Sequence, residues 1–124
     1  MGYSLFAAWL ALGIACTHDR TAADAADPIA CETAFQAALD RACNVPADCT
    51  LAEHSDCCGI TMVGVRAGTQ AATADAERTY LACYQCPPVG CAHATRAEDG
   101  AVPSMAGQAI VSTCVQSQCT SIVQ

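Results

Sequence analysis

Residues 49–66 read CTLAEHSDCCGITMVGVR and contain two strand-like runs separated by an adjacent pair of cysteines. The run at 60–66 is rich in β-branched residues, which favour strands, and a second run at 49–54 precedes it. The stretch therefore predicts two short strands with a connection between them. Because neighbouring side chains of an extended chain point to opposite faces, we expect Cys57 and Cys58 to bond to opposite sides of the domain.

Two flanking segments have apolar residues at the three- and four-residue spacing of a helix. The first runs from Pro28 to about Cys43, and Asp27 before it suits a helix N-cap. The second runs from about Gln70 to Tyr84 and contains neither Pro nor Gly. Cys31 and Cys43 are twelve residues apart on the first predicted helix, which is too far for them to bond to each other. Each therefore needs a partner elsewhere.

The C-terminal part of the chain predicts one more pair of strands. Residues 110–114 and 119–123 are strand-like and suggest a hairpin, and residues 92–107 before them suggest a long surface loop. The order of elements predicts a small disulfide-rich α+β domain, with two helices packed on an antiparallel sheet of about four short strands.

The composition limits both the core and the partners. The 124 residues include five basic side chains, all Arg, against twelve acidic ones, and the net charge is −7. Nucleic acid requires basic patches, so we predict no nucleic-acid partner. Only 20 large apolar side chains (Ile, Leu, Val, Met, Phe and Tyr) occur from Cys16 onward, which predicts a thin core.

The chain begins with an apolar run that is too short to span a membrane. Residues 3–15 carry no charge, whereas a spanning helix needs roughly 20 apolar residues. This length is typical of the core of a signal peptide.

The run ends in Leu12-Gly13-Ile14-Ala15-Cys16 and resembles a bacterial lipoprotein precursor, in which a small residue precedes a Cys that receives the lipid. The resemblance implies a signal peptide at 1–15, a lipidated Cys16 with a flexible tether at 16–27, and a domain at 28–124. It also implies an anchor in the outer membrane, facing the periplasm or the cell surface, because Thr17 is not Asp. Secretion without lipid and an uncleaved membrane anchor are the alternatives.

The remaining cysteines form an even set, which in an exported chain predicts five structural disulfides. Ten cysteines allow on the order of a thousand pairings, and the sequence leaves the choice open. They are Cys31, Cys43, Cys49, Cys57, Cys58, Cys83, Cys86, Cys91, Cys114 and Cys119.

Some of these cysteines have the spacing of chemical motifs. Cys83-x-x-Cys86 matches a redox motif or half a zinc site, which Cys57, Cys58, Cys91 and His93 could complete. We favour structural disulfides over these alternatives, and we predict no metal and no cofactor.

Acid–base groups are few. His54 or His93 could serve as the base for a Cys nucleophile, but both are interpreted as surface histidines. The adjacent carboxylates of Glu98 and Asp99 precede Gly100 and are interpreted as part of a turn. These interpretations predict that the protein is not an enzyme.

The spacing Cys43-x5-Cys49-x7-Cys57-Cys58 resembles part of a whey-acidic-protein inhibitor domain. That resemblance implies inhibition of extracellular proteases, through Pro87-Pro88-Val89 or the loop at 92–107. Taken whole, the chain resembles small cysteine-rich bacterial lipoproteins without a characterised role. We therefore predict a non-catalytic, lipid-anchored cell-envelope protein with a binding or structural domain and an unidentified protein partner, and inhibition as the alternative.

Overall fold

A computed structural model of the chain describes residues 27–86 and 90–124. Two helices and two small sheets form this part of the chain, which confirms the disulfide-rich α+β class. In chain order the elements are α1 (Pro28–Ala38), a 3-10 turn (Pro46–Asp48), β1 (Cys49–Asp56), β2 (Gly59–Arg66), α2 (Gln70–Cys83), β3 (Ala94–Arg96), β4 (Ile110–Val115) and β5 (Gln118–Val123).

Helix α1 begins as predicted and ends earlier than predicted. The Asp27 side chain accepts a hydrogen bond from the Ile29 backbone N–H at 3.0 Å, which caps the first turn. The helix stops at Ala38 instead of near Cys43. The backbone N–H of Cys43 donates to the carbonyl of Ser117 at 3.2 Å, and this bond to the β4–β5 turn holds Cys43 outside the helix.

Strands β1 and β2 form an antiparallel hairpin, paired from Cys49 opposite Arg66 to Asp56 opposite Gly59. The two adjacent cysteines occupy the turn. Strand β3 then pairs with β2 in parallel. It lies inside the segment predicted to be a surface loop at 92–107, and Ala97 directly after it is 1% exposed, so that prediction was wrong for this part of the segment.

Strands β4 and β5 form the predicted C-terminal hairpin. Gln116 and Ser117 connect them with φ angles of 51° and 63°, as a two-residue turn of the left-handed type requires. This hairpin is a separate two-stranded sheet, so the strands lie in two sheets instead of one.

The two sheets pack against each other at unusually short range. An ideal Cβ on Gly64 of β2 would lie 2.5 Å from the backbone of Thr120 on β5, so only glycine fits at this crossing. The opposite face of β2 carries Val63 and Val65, which pack with Phe35 of α1 in the core. The domain thus has three layers: the helices, the β1–β2–β3 sheet and the β4–β5 hairpin. No helix in residues 27–86 and 90–124 is both long and apolar enough to cross a membrane.

Candidate functional site

The ten cysteines from Cys31 to Cys119 form five disulfides, which confirms the predicted framework. The Cα atoms of the bonded pairs lie 5.2–6.0 Å apart, within the range of disulfide geometry. The pairs are Cys31–Cys83, Cys43–Cys114, Cys49–Cys119, Cys57–Cys86 and Cys58–Cys91.

The adjacent cysteines do not bond to opposite sides of the domain. Cys57 bonds to Cys86 and Cys58 bonds to Cys91, so both partners lie in one short segment after α2. The prediction failed because these residues form the two-residue turn of the β1–β2 hairpin, where the alternation of an extended chain does not apply.

The motif at Cys83 and Cys86 is divided between two bridges. Cys83 joins α2 to Cys31 of α1, whereas Cys86 bonds to the β1–β2 turn, so the pair does not act as one redox unit. His93 is exposed, as predicted.

Among the described residues, one group of three metal-ligating side chains has its ligand atoms within 4.8 Å of one another. Its members are Cys43, Cys49 and Cys114. All three sulfur atoms are already committed to disulfides.

His54 is the most unusual polar residue of the domain, and its prediction as a surface histidine was wrong. Its ring lies between the helices and β1 and is 5% exposed. It stacks on Phe35 with ring centroids 3.9 Å apart, and its edge meets Tyr80 at 4.5 Å. The strand parity that places Ala52 beside the core also turns His54 inward.

Both ring nitrogens of His54 contact carboxylates from the two helices. Nδ1 lies 2.7 Å from Glu77 of α2, and Nε2 lies 3.0 Å from Glu32 of α1. The other oxygen of Glu77 accepts the backbone N–H of Ser55 at 2.7 Å, which fixes the carboxylate in place. Ionised carboxylates only accept hydrogen bonds, so the contacts need two protons on the ring or one on a carboxyl group. The arrangement ties α1, α2 and β1 together and leaves no ring nitrogen free to act as a base.

A cavity of about 300 Å³ lies beside this histidine, and His54, Gln36, Asp56 and Thr61 contribute to its lining. The carboxylate of Asp56 accepts a hydrogen bond from Arg96 of β3. The Arg96 Nε also donates to Thr61 at 3.3 Å. These bonds engage Asp56 and Thr61 of the cavity wall and join β3 to the hairpin.

Glu98 is the second group that sequence reasoning missed, because it was interpreted as part of a turn. One of its oxygens accepts a hydrogen bond from Arg41. The other accepts the backbone N–H groups of Gly64 at 3.0 Å and Ser121 at 2.9 Å, and the Thr120 hydroxyl at 3.2 Å. This carboxylate therefore links the two sheets. No local pattern in the sequence predicts that role for Glu98.

Tyr80, which packs against His54, has a raised pKa. Burial, and then the negative charge of Glu32, raise the pKa of Tyr80 to about 12. The folded state holds the phenol proton more tightly than the unfolded chain, whose tyrosine pKa is about 10. The stabilisation is complete below pH 10 and is lost as the pH rises toward 12.

We therefore expect Tyr80→Phe to weaken the alkaline loss of stability. The denaturant midpoint of the unmodified protein should fall more between about pH 10 and pH 12 than that of the variant, because over this range the Tyr80 phenol ionises in the unfolded chain while the folded state still holds its proton. Denaturant unfolding with the disulfides intact measures this difference. Two curves that fall in parallel would contradict the assignment to Tyr80.

Some sequence predictions fall outside the described residues. These are the signal peptide at 1–15, the lipid attachment at Cys16, the tether up to residue 26, and the proposed contact segment Pro87-Pro88-Val89. Asp27, the last residue of the predicted tether, is described and caps α1.

No protein-family model, curated protein or solved structure matches this chain.

Proposed function

We propose that this chain is an exported cell-envelope protein, anchored by lipid on Cys16, that displays a non-catalytic binding or structural domain. The complete pairing of the ten later cysteines is the observation that supports it. Disulfides of this density persist in oxidising compartments outside the cytosol. No described cysteine remains to pair with Cys16, which is the residue that the lipoprotein resemblance assigns to the fatty acid.

The chemistry of the domain supports a non-catalytic role. The sulfur atoms of the described cysteines are bonded in pairs, so none is a nucleophile without prior reduction. Both nitrogens of His54 are engaged by carboxylates that also link structural elements. The site therefore stabilises the fold, and the outer surface is left for binding.

We expect Cys16→Ser to abolish lipidation and to release the protein from the membrane fraction. The intact mass of membrane-extracted protein should show removal of residues 1–15, added fatty acid and ten oxidised cysteines, and the variant should show no fatty acid. Thr17→Ser is the matched control and should leave the mass shift unchanged. Equal membrane association of Cys16→Ser and the unmodified chain would refute the anchor.

The identity of Thr17 gives a second test in the same experiment. The lipoprotein resemblance implies that Asp at this position favours retention at the inner membrane. We therefore expect Thr17→Asp to move the protein from the outer to the inner membrane fraction. An unchanged distribution would contradict the proposed location and would leave lipidation on Cys16 intact.

Inhibition of extracellular proteases is the second candidate function. The segment around residues 101–108 favours it, because Met105 is 68% exposed and Val102 is 46% exposed. The side-chain oxygen of Gln108 accepts the backbone N–H groups of Ser104 and Met105, which fixes this part of the loop. Titration against a panel of serine and cysteine proteases tests the candidate, and inhibition that Met105→Ala removes would support it. The absence of inhibition would eliminate it.

A further inference from the structure

A second cavity, of about 280 Å³, lies where the start of α1 meets the end of α2. It opens at the point where the chain enters the domain, and it combines apolar side chains, two aromatic rings and one carboxylate. Its lining is formed by Pro28, Ile29, Glu32, Thr33, Tyr80 and Tyr84. The disulfide Cys31–Cys83 holds the two helices together beside it.

Of the two tyrosine rings at the cavity, Tyr84 is partly exposed, whereas Tyr80 is 5% exposed and belongs to the core. The centroids of Tyr80 and Tyr84 are 5.4 Å apart, and the ring planes are inclined by 30°. A cation attracted to the face of an aromatic ring lies within about 6 Å of its centroid. A cation over the partly exposed Tyr84 ring satisfies this distance for one ring, and Tyr80 lies beside that ring.

The charges around the cavity have the matching sign. Glu32 lines it with a side chain that is 43% exposed, and its two carboxylate oxygens also contact Gln36 at 2.8 Å and His54 at 3.0 Å. Glu77 also lies near Tyr80, and the pKa of the Tyr80 hydroxyl is raised first by burial and then by the negative charges of Glu32 and Glu77. The nearest basic group is His54, which bridges these same two carboxylates.

Ile29 provides an apolar wall at the mouth of the cavity and is 75% exposed. A site made of aromatic faces, an apolar wall and one carboxylate fits a cation whose charge is surrounded by methyl groups, because such an ion is weakly hydrated and benefits from both kinds of contact.

We propose that the cavity between α1 and α2 binds an alkylated ammonium group, as in choline or a methylated amine. This site does not depend on the proposed lipid anchor. Free solutes and the headgroups of zwitterionic lipids both carry this chemistry.

Choline and its uncharged isostere 3,3-dimethyl-1-butanol form the matched pair of probes. We expect choline to shift the NMR signals of the Tyr84 ring in a saturable manner, and the uncharged probe to bind at least several-fold more weakly. Equal affinity for the two probes, or no saturable shift with choline, would refute the site.

Three variants assign the binding to these side chains. Tyr84→Leu keeps an apolar side chain but removes a ring, and it should weaken choline binding roughly 2- to 30-fold. Tyr84→Phe keeps the ring and should bind as the unmodified protein does. Leu81→Ala changes an exposed residue of α2 outside the cavity and is the control. Circular dichroism establishes that each variant is folded, and unchanged affinity in folded Tyr84→Leu would exclude the aromatic pair.

Glu32→Gln tests the charge separately, since it removes the carboxylate and keeps the size of the side chain. We expect weaker binding of choline and unchanged binding of the uncharged probe. Loss of both in the same proportion would show that Glu32 only shapes the cavity and would contradict the electrostatic part of the proposal.

Vesicles distinguish the two sources of the ligand. The Cys16→Ser protein lacks the proposed lipid attachment, and its Tyr84→Leu derivative shares every residue before the domain, so the difference in vesicle binding between the two reports the cavity. Sedimentation with phosphatidylcholine vesicles, lost in Tyr84→Leu and absent with phosphatidylglycerol, would assign the site to lipid headgroups. Saturable binding of free choline without vesicle binding would assign it to a solute, and neither kind of binding would overturn the proposal.

Discussion

Complete reduction of the five disulfides should unfold the domain at neutral pH. Each bridge closes a loop in which the bonded residues are 29 to 71 positions apart, and a bridge of this kind contributes about 2–4 kcal/mol. The whole free energy of unfolding of a small domain is about 5–15 kcal/mol. The largest buried cluster contains only Cys31, Phe35, Val63, Val65 and Tyr80, and one of these five is itself a bridging cysteine. The remaining apolar contacts are too few to replace the lost cross-links.

Far-UV circular dichroism and a thiol count on the same sample measure this effect. We expect the helical signal to collapse as the count reaches ten free thiols. A native spectrum at full reduction would show that the apolar core alone holds the fold and that the bridges are dispensable for it.

The five bridges should not contribute equally. Cys31 is 2% exposed and joins the two helices within the core, whereas Cys58 and Cys91 are only partly buried at one end of the sheet. Double replacement of Cys31 and Cys83 by Ala therefore removes a cross-link and core packing together, and it should lower the melting temperature more than the same replacement of Cys58 and Cys91.

Glu98→Ala should cost about 3–5 kcal/mol of unfolding free energy, the largest effect we expect from one substitution. Truncation removes one acceptor of the Arg41 guanidinium, which keeps Gln36 and the Cys119 carbonyl. It also removes the side-chain acceptor of the backbone N–H groups of Gly64 and Ser121, at a junction where the Glu98 side chain is only 18% exposed. Asp99→Ala is the matched control, because its carboxylate caps an exposed turn by accepting the Ala101 N–H.

Chemical unfolding with the disulfides intact compares these variants. Glu98→Gln should fall between the other two, because an amide oxygen can replace only one of the two carboxylate oxygens. If Glu98→Ala and Asp99→Ala unfold at the same denaturant concentration, Glu98 does not hold the sheets together.

The sequence predicted the elements that depend on local pattern. Helix α2 and the β4–β5 hairpin match their predictions, because the periodicity that defines them continues to the residue where each element ends. Helix α1 was predicted to continue to about Cys43, and its true end at Ala38 results from tertiary bonds to the β4–β5 turn, which no local pattern reveals. Strand β3 has three residues, too few for a periodic signal.

The candidate site was predictable only in part. That all ten cysteines form bridges followed from their even number, whereas their partners depend on how distant elements meet. The contacts of His54 join three elements, and those of Glu98 join both sheets, so their roles exist only in the folded chain. In the sequence, His54 follows Glu53 and Glu98 precedes Asp99 and Gly100, and these polar neighbours indicated surface positions for both residues.

The pattern of bridges also has a consequence for biogenesis. Of the ten bridged cysteines, the first five, Cys31 to Cys58, each bond to one of the last five, Cys83 to Cys119. A ribosome delivers the chain N terminus first, and so would the export channel of the proposed route, so the first five of these thiols emerge before any correct partner. An oxidase that joined cysteines in order of appearance would form none of the native bonds. Maturation of this protein therefore depends either on delayed oxidation or on an isomerase that corrects early pairs.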